Sequence, residues 1–149
     1  MYNVGYRILN NPEEAEDVLQ EAFISAFRNL NHYRGDSTFG AWLKRIVINK
    51  AINYLQKRKA DRIPDDDRWD VPEEEPENKL DHFPFSVEQV RDAIEKLPDG
   101  YRSVISLYLL EGYDHAEIGE IMGITESTSK SQFNRAKKKL KDLLEEGKI

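Results

Sequence analysis

Cysteine is absent from the 149 residues, and no apolar run is long. The missing thiols exclude disulfide bonds and thiolate metal sites. A membrane-spanning helix needs about 20 consecutive apolar residues, and a signal peptide needs a basic start followed by an apolar stretch. The chain shows neither pattern. The sequence therefore predicts a cytoplasmic protein that does not insert into a membrane.

Histidine is also scarce, and His32, His82 and His115 lack the spacing of metal ligands. Many of the acids lie in one segment of linker-like composition, where no pocket would hold them in catalytic geometry. The sequence thus predicts a protein that is not an enzyme, with no cofactor and no metal centre. A weak cation site at 65–67 is an alternative to a simple solvated charge run.

The net charge of −6 is unevenly distributed. Between 61 and 82, ten acids stand against three basic residues, so the rest of the chain carries a net +1. The same stretch is rich in proline and poor in apolar residues, which is typical of a linker. We therefore predict an all-α protein of two small helical domains, 1–62 and 86–149, joined by an acidic flexible linker at 63–85.

The stretch 112–144 predicts two helices joined by a tight turn. Asp114 and Glu117 have the spacing of a capping box, Gly123 suits a helix C-terminus, and Thr125 can cap a second helix. Such a pair fits the DNA major groove as a helix-turn-helix. An ordinary helical hairpin with a solvated face is the alternative.

The second of these helices has an apolar period at Phe133, Ala136, Leu140, Leu143 and Leu144. Its other faces are poor in acid, and Lys137, Lys138 and Lys139 follow in a row, as on a surface that faces phosphates. The polar side chains assigned to those faces can contact phosphates and base edges; they are Thr128, Lys130, Ser131, Gln132, Asn134 and Arg135.

Three helices are predicted before the linker. Residues 1–9 resemble the tail of a helix that begins earlier, Asn11 caps a second helix, and Ser37 can cap a third. The third helix has an apolar period that includes Phe39 and Trp42. The second helix has a broad apolar stripe, which consists of Ala15, Val18, Leu19, Ala22, Phe23, Ala26, Phe27 and Leu30.

The third helix is strongly basic, which is typical of a surface that faces an anion. Its only acid from 44 to 62 is Asp61, against Lys44, Arg45, Lys50, Lys57, Arg58, Lys59 and Arg62. Asn49 and Asn53 lie one turn apart, so with Tyr33 they could hold an unpaired base by stacking and hydrogen bonding. Trp42 is predicted in the core, and for Tyr33 core and base stacking remain alternatives.

Two further helices are predicted after the linker. Ser86 and Gln89 form a capping box for a helix whose inward residues are Val87, Val90, Ile94 and Leu97. After the turn at 98–100, a helix over 101–111 has Val104, Ile105, Leu107, Tyr108 and Leu109 as its apolar residues.

Taken together, these pieces closely resemble a known family. The segments are AEDVLQEAF at 15–23, YRGDSTFGAWLKRIVINKAINYL at 33–55, LPDGYRSVISLYLLEGYDHAEIGEIMGI at 97–124 and TSKSQFNRAKKKL at 128–140. They resemble bacterial sigma factors of the extracytoplasmic-function (ECF) group of the sigma-70 family. The resemblance implies a dissociable promoter-specificity subunit of RNA polymerase, with an anti-sigma factor as a further partner.

The resemblance also implies roles for individual residues. Docking on the clamp helices of the polymerase largest subunit is assigned to Asp17, Gln20, Glu21 and Phe23. Opening of the minus-ten promoter element, with a flipped base, is assigned to Tyr33, Arg34, Ser37, Lys44, Arg45, Asn49 and Asn53. Reading of the minus-thirty-five element is assigned to Lys130, Ser131, Asn134 and Arg135, with a phosphate contact from Thr128.

The chain departs from the family pattern in two respects. It begins inside what should be the end of a first helix, so we expect a truncated start and apolar surface that lacks a cover. Gln56 and Gln132 stand where the family often has arginine, which predicts weaker phosphate contacts. Two alternative functions remain: a stand-alone helix-turn-helix regulator, and a truncated sigma-like protein that only binds a partner. The acidic linker could be a plain tether or an imitation of nucleic acid.

Overall fold

The computed structural model describes residues 1–60 and 85–146, which form two compact units on either side of 61–84. The described residues form helices and short turns without a strand, which confirms the all-α prediction. The predicted linker lies outside the described residues except at Phe85, so its boundaries stay a prediction.

The first unit consists of three helices that all contact one another: α1 (Tyr2–Leu9), α2 (Pro12–Arg28) and α3 (Phe39–Ala60). A 3-10 turn at Leu30–His32 follows α2. The core is aliphatic and comes from all three helices. Its members are Val4, Ile8, Leu9, Ala15, Val18, Ala22, Ala26, Leu43, Val47, Ile48, Ala51, Ile52 and Leu55.

The helix starts of this unit follow local capping chemistry. The Asn11 side chain accepts a hydrogen bond from the Glu14 backbone N–H over 3.1 Å, directly before Pro12. The prediction for α3 was wrong by one residue. Thr38, not Ser37, accepts from the backbone N–H of Ala41 over 3.1 Å, because the helix begins at Phe39.

Arg58 corrects the prediction of an entirely anion-facing basic helix. Its guanidinium lies 2.6 Å from a Glu14 carboxylate oxygen and donates to the Leu9 carbonyl over 3.1 Å. Both partners belong to the corner between α1 and α2. The charge of Arg58 is therefore neutralised within the unit and fastens α3 to that corner.

The second unit contains α4 (Val87–Glu95), α5 (Asp99–Ile105), α6 (His115–Met122) and α7 (Glu126–Glu146). A π-helical turn at Ser106–Leu110 continues α5, and α7 contacts the other three helices. The predicted Ser86–Gln89 capping box is present. The apolar core consists of Ala93, Ile94, Leu97, Val104, Ile105, Leu107, Ile118, Ile121, Phe133, Ala136, Leu140 and Leu144.

Three apolar residues of the helices predicted for this unit are exposed, and one of them, Val87, was predicted to point inward. Val87 is 72% exposed because it is the first residue of α4, ahead of the part that packs. Tyr108 and Leu109 are 37% and 55% exposed. They lie in the π-helical turn, which has more residues per turn than an α-helix, so an α-helical period misplaces them.

Candidate functional surfaces

The outer face of α2 combines polar and apolar side chains. Asp17, Gln20 and Glu21 are exposed there, as predicted, at spacings that keep them on one side of the helix. Phe23 is 39% exposed, and Phe27, predicted as part of the inward stripe, is 74% exposed. The stripe prediction was wrong for these phenylalanines and for Leu30, which is 49% exposed.

Small residues explain why α2 turns its largest apolar side chains outward. The side that packs on α1 and α3 consists of Ala15, Val18, Ala22 and Ala26, which let the helices approach closely. Ile24, which the sequence analysis missed, is 53% exposed on the outer face. The spacing of the alanines is the signal that could have identified the buried side. Acids beside exposed apolar residues give this face the composition of a protein-docking surface.

Three aromatic rings meet where the loop after α2 enters α3. The Tyr33 ring centroid lies 5.3 Å from that of Trp42 and 5.6 Å from that of Phe39. Tyr33 is therefore part of a partly buried cluster, and its hydroxyl donates to the Ser37 carbonyl over 2.6 Å. Trp42, predicted in the core, is half-buried, and Phe39, which belongs to the apolar period of α3, is 47% exposed. The cluster presents an aromatic surface to solvent.

The asparagines of α3 continue from this cluster along one side of the helix. Asn49 and Asn53 are exposed, and Arg45 lies one turn before Asn49. Arg34 and Ser37 are exposed in the loop. Lys44 lies about 140° around the helix from Asn49, so it does not share the asparagine face. Arg45, Asn49 and Asn53 thus share one side of α3 with Trp42 of the cluster, whereas Lys44 does not.

The helix-turn-helix has the predicted local structure. Asp114 and Glu117 exchange the two hydrogen bonds of a capping box, over 2.8 and 3.2 Å. Gly123 adopts a φ of 71°, and Thr125 accepts from the Thr128 backbone N–H over 3.0 Å. Gly119 permits the close turn, because a Cβ there would lie 2.7 Å from the Ile124 carbonyl oxygen.

The start of α7 presents most of the residues predicted to contact DNA. Lys130 is exposed and lies 3.7 Å from the Glu126 carboxylate. Thr128, Ser131, Asn134 and Arg135 are partly exposed.

Gln132, predicted on a polar face of α7, is a correction. It is only 3% exposed, because it lies one turn from the buried residues Ser129 and Ala136. The side chain of Gln132 is therefore hardly presented to solvent, and the weaker phosphate contact expected from glutamine at this position stays a prediction.

His115 connects the two helices of the helix-turn-helix, a role that the sequence analysis missed. A hydrogen bond over 2.9 Å links its Nδ1 to the hydroxyl of Ser129, which is fully buried. Its ring stacks on Tyr108 at 4.5 Å and meets the Phe133 ring at 5.6 Å. Burial and the nearby charge of Lys130 lower the pKa of His115 below its ordinary value. The ring is accordingly neutral at pH 7.

The structure describes the ranges 1–60 and 85–146. No group of three or more His, Cys, Asp or Glu residues there could hold a metal ion. No helix in the same ranges is long and apolar enough to cross a membrane. The cation site considered at 65–67 lies outside the described residues.

Two protein-family models match the two units. The model for Sigma-70 region 2 matches residues 1–61, and the model for Sigma-70, region 4 matches residues 87–140. These ranges contain the α2 face with the asparagine face of α3 and the helix-turn-helix, respectively.

Curated relatives align with nearly the whole chain. The ECF RNA polymerase sigma factor SigE of Mycolicibacterium smegmatis is 32% identical over 97% of this chain and 57% of its own length. The ECF RNA polymerase sigma factor SigW of Bacillus subtilis is 34% identical over 97% of this chain and 82% of its own length. The RNA polymerase sigma-H factor of Pseudomonas aeruginosa is 36% identical over 93% of this chain and 77% of its own length.

A solved structure has the same fold. It is the sigma factor RpoE of Bartonella quintana in complex with the anti-sigma factor NepR, with a TM-score of 0.64 and 22% identity. The match covers 97% of this chain and 89% of that one.

Proposed function

The chain belongs to the ECF group of the sigma-70 family of RNA polymerase sigma factors, and from this membership we propose that it is a promoter-specificity subunit. In this function it binds core RNA polymerase in the cytoplasm and directs initiation by recognising and opening promoter DNA. The chain contributes binding and no catalysis of its own, since the polymerase performs the chemistry.

The observation that carries the proposal is the presence of different kinds of surface on the two units. The second unit presents a helix-turn-helix, as in many DNA-binding proteins. The first unit presents the outer face of α2 and the asparagine face of α3, for which a stand-alone helix-turn-helix regulator has no use. A sigma factor needs all three surfaces at once.

Docking on polymerase is assigned to the outer face of α2. Asp17, Gln20 and Glu21 supply polar and acidic contacts, and Phe23 and Phe27 supply apolar area. Exposed aromatic side chains beside charged groups are typical of the energetic centre of a protein interface. The partner in the proposal is the pair of clamp helices of the polymerase largest subunit.

Promoter opening is assigned to the aromatic cluster and the asparagine face. A base that leaves the duplex loses stacking worth a few kcal/mol. Stacking on an aromatic side chain returns about 1–3 kcal/mol, and the amides of Asn49 and Asn53 can hydrogen-bond the base edge. Arg45 and Arg34 add positive charge for the backbone phosphates.

Recognition of the upstream promoter element is assigned to the start of α7. In a helix-turn-helix the N-terminal residues of the second helix reach base edges in the major groove. Here those residues include Lys130, Ser131, Asn134 and Arg135, with Thr128 placed for a phosphate.

The structural neighbour is bound to an anti-sigma factor, and we include such a factor among the partners of this chain.

In vitro transcription tests the proposal. Purified core polymerase is incubated with sheared genomic DNA, with and without the chain, and the transcripts are mapped by their 5′ ends. Discrete start sites that require the chain establish the function. If the chain binds DNA selectively but yields no transcript and does not bind polymerase, it is a stand-alone regulator. If it binds polymerase or an anti-sigma factor and directs no initiation, it acts as a binding partner only.

A further inference from the structure

His115 is the meeting point of three elements in the second unit. It is the first residue of α6, and its Nδ1 is hydrogen-bonded to Ser129 on α7 over 2.9 Å. Tyr108 of the π-helical turn stacks on one side of the ring, at 4.5 Å and 16° between the planes. Phe133 of α7 meets the ring at 61°. The imidazole is thus held by aromatic contacts and aims one nitrogen at Ser129.

The buried apolar contacts between α6 and α7 carry little directional information. Ile118, Ile121, Phe133 and Ala136 are buried apolar residues, and apolar packing is non-directional. A hydrogen bond depends steeply on angle and distance. The His115–Ser129 bond is therefore suited to fix how far α7 is rotated about its own axis.

Ser129 lies between two residues assigned to DNA contact, Thr128 and Lys130. Its side chain is fully buried, so water cannot replace the imidazole as a partner. Neighbouring residues lie about 100° apart around a helix and turn with it as one rigid body. A rotation of α7 that moves Ser129 therefore also moves Thr128 and Lys130 relative to the groove.

We propose that His115 is a positioning residue for DNA reading, which acts through Ser129 to hold α7 in the orientation that presents Thr128, Lys130 and Ser131 to DNA. The proposal rests on the function assigned to the second unit above. It adds a residue that sets the discrimination between sequences through the orientation of α7.

The test compares selective and non-selective DNA binding by the full-length chain. One labelled duplex carries the upstream element of a promoter that the chain transcribes, and the other is a scrambled duplex of equal length and composition. Fluorescence anisotropy gives the ratio of the two affinities for each variant. Phosphate contacts contribute to both affinities, whereas the orientation of α7 affects mainly the ratio.

The variants separate the hydrogen bond from packing. His115→Phe keeps an aromatic ring and loses the bond, and Ser129→Ala removes the other partner. His115→Asn restores a hydrogen-bonding group near the position of Nδ1. Ser106→Ala is the matched control, because Ser106 is a buried serine of the same unit whose hydroxyl has no partner among the described residues.

We expect His115→Phe and Ser129→Ala each to lower the ratio roughly tenfold, the size of one lost base contact. The double variant should lose no more than either single variant, because both remove the same bond. His115→Asn should recover part of the ratio, and Ser106→Ala should match the wild type.

Three results would overturn the proposal. In the first, His115→Phe and Ser129→Ala keep the wild-type ratio. In the second, both affinities fall together with the unfolding temperature, which would make the bond a contribution to stability alone. In the third, the wild-type chain binds both duplexes equally, which would contradict the DNA-reading function of the second unit and the present inference with it.

Discussion

Asn49 and Asn53 expose their amides one helical turn apart, next to the aromatic cluster of Tyr33, Phe39 and Trp42. We predict that Asn49→Ala slows promoter opening about tenfold and leaves polymerase binding unchanged. The physical reason is the loss of hydrogen bonds to a base edge, worth ~1–3 kcal/mol. Permanganate footprinting of the opened strand and a separate polymerase-binding titration measure the two effects.

The control for this prediction is Asn31→Ala. Asn31 is another exposed amide of the same unit, in the 3-10 turn at Leu30–His32 and outside the predicted site. It should open promoters at the wild-type rate. Equal losses of opening and polymerase binding in Asn49→Ala would contradict the base-contact role.

His115 makes the stability of the second unit depend on pH. Burial and then Lys130 lower its pKa from the ordinary 6.5, with Lys137 acting in the same direction and Glu126 and Asp114 opposing. The unfolded chain therefore binds the proton at a higher pH than the folded chain does. The contribution of the neutral His115 ring to the free energy of unfolding is therefore fully present above about pH 6.5. It is lost as the pH falls below that value.

Calorimetry at pH 7.5 and 5.5 checks this dependence. The wild type should lose more unfolding temperature in the second unit on acidification than His115→Asn does, because the variant has no imidazole to protonate. Parallel pH dependence of the unfolding temperature in the two proteins would contradict the predicted contribution of His115.

At the scale of residues, the sequence predicts the capping residues at helix ends better than the side of a helix that is buried. The amide, hydroxyl and carboxylate caps at Asn11, Ser86 and Asp114 act on backbone within three residues, so local sequence determines them. Whether Gln132 or Phe27 is buried depends on which neighbouring helix covers it, which a periodicity does not contain. His115 was missed because its partner Ser129 is 14 residues away.

The tight turn between α6 and α7 depends on Gly119. We predict that Gly119→Ala destabilises the second unit by about 1–3 kcal/mol, since the added Cβ would lie 2.7 Å from the Ile124 carbonyl oxygen and the backbone must shift. Selective DNA binding should weaken as well. Chemical denaturation and anisotropy measure the two effects.

Gly5 provides the matched control because it is also a buried glycine within a helix. A Cβ there would meet nothing closer than 3.9 Å, which is ordinary contact distance. Gly5→Ala should therefore stabilise the first unit by about 0.5–1 kcal/mol through the better helix propensity of alanine. Equal effects of the two substitutions would contradict the role given to the turn.

The outer face of α2 predicts a separation between binding and stability. Phe27 is 74% exposed, so Phe27→Ala should change the free energy of unfolding by less than about 0.5 kcal/mol. If the face docks on polymerase, the same variant should lower polymerase affinity about tenfold. A titration with fluorescent core polymerase measures this affinity.

Val87→Ala is the control for an exposed apolar side chain, because Val87 is 72% exposed and belongs to the other unit. It should leave both stability and polymerase binding unchanged. Wild-type polymerase binding by Phe27→Ala would remove Phe27 from the docking surface.

At the scale of elements, the helices and the three-residue turn of the helix-turn-helix could be predicted, because capping and periodicity are local signals. The π-helical turn at Ser106–Leu110 could not. Its sequence SLYLL fits an α-helical period equally well, so the sequence pattern does not distinguish the two. The exposed positions of Tyr108 and Leu109 follow from that turn.

At the scale of the whole molecule, charge opposes the proposed DNA binding. The net charge is −6, and the segment 61–82 supplies more than all of it. We predict that changing Glu73, Glu74, Glu75 and Glu77 to Gln, which brings the net charge to −2, raises affinity for non-specific DNA several-fold at low salt. Anisotropy with a scrambled duplex measures this affinity.

Salt provides the control for this electrostatic argument. At about 0.5 M salt the screening length falls to a few ångströms, so the wild type and the variant should then bind alike. A difference that persists at high salt would mean that these glutamates act through a specific contact.

The two-unit architecture could be predicted because the composition changes sharply at 61–82. The capping residues and apolar period in 112–144 placed the helix-turn-helix in the second unit. What the pattern could not predict is which surfaces the three helices of the first unit leave uncovered. That depends on the small residues Ala15, Ala22 and Ala26 bringing the helices together.

The bond from Arg58 to Glu14 and Leu9 bears on how the first unit is made in the cell. Arg58 follows Glu14 by 44 positions and Leu9 by 49 positions in the sequence. Domains that emerge from the ribosome fold as units. The corner between α1 and α2 therefore lacks its contacts with Arg58 until Arg58 has left the exit tunnel. By then Asn49 and its neighbours have been synthesised, so the asparagine face of α3 and the Arg58 contacts become available to the nascent unit together.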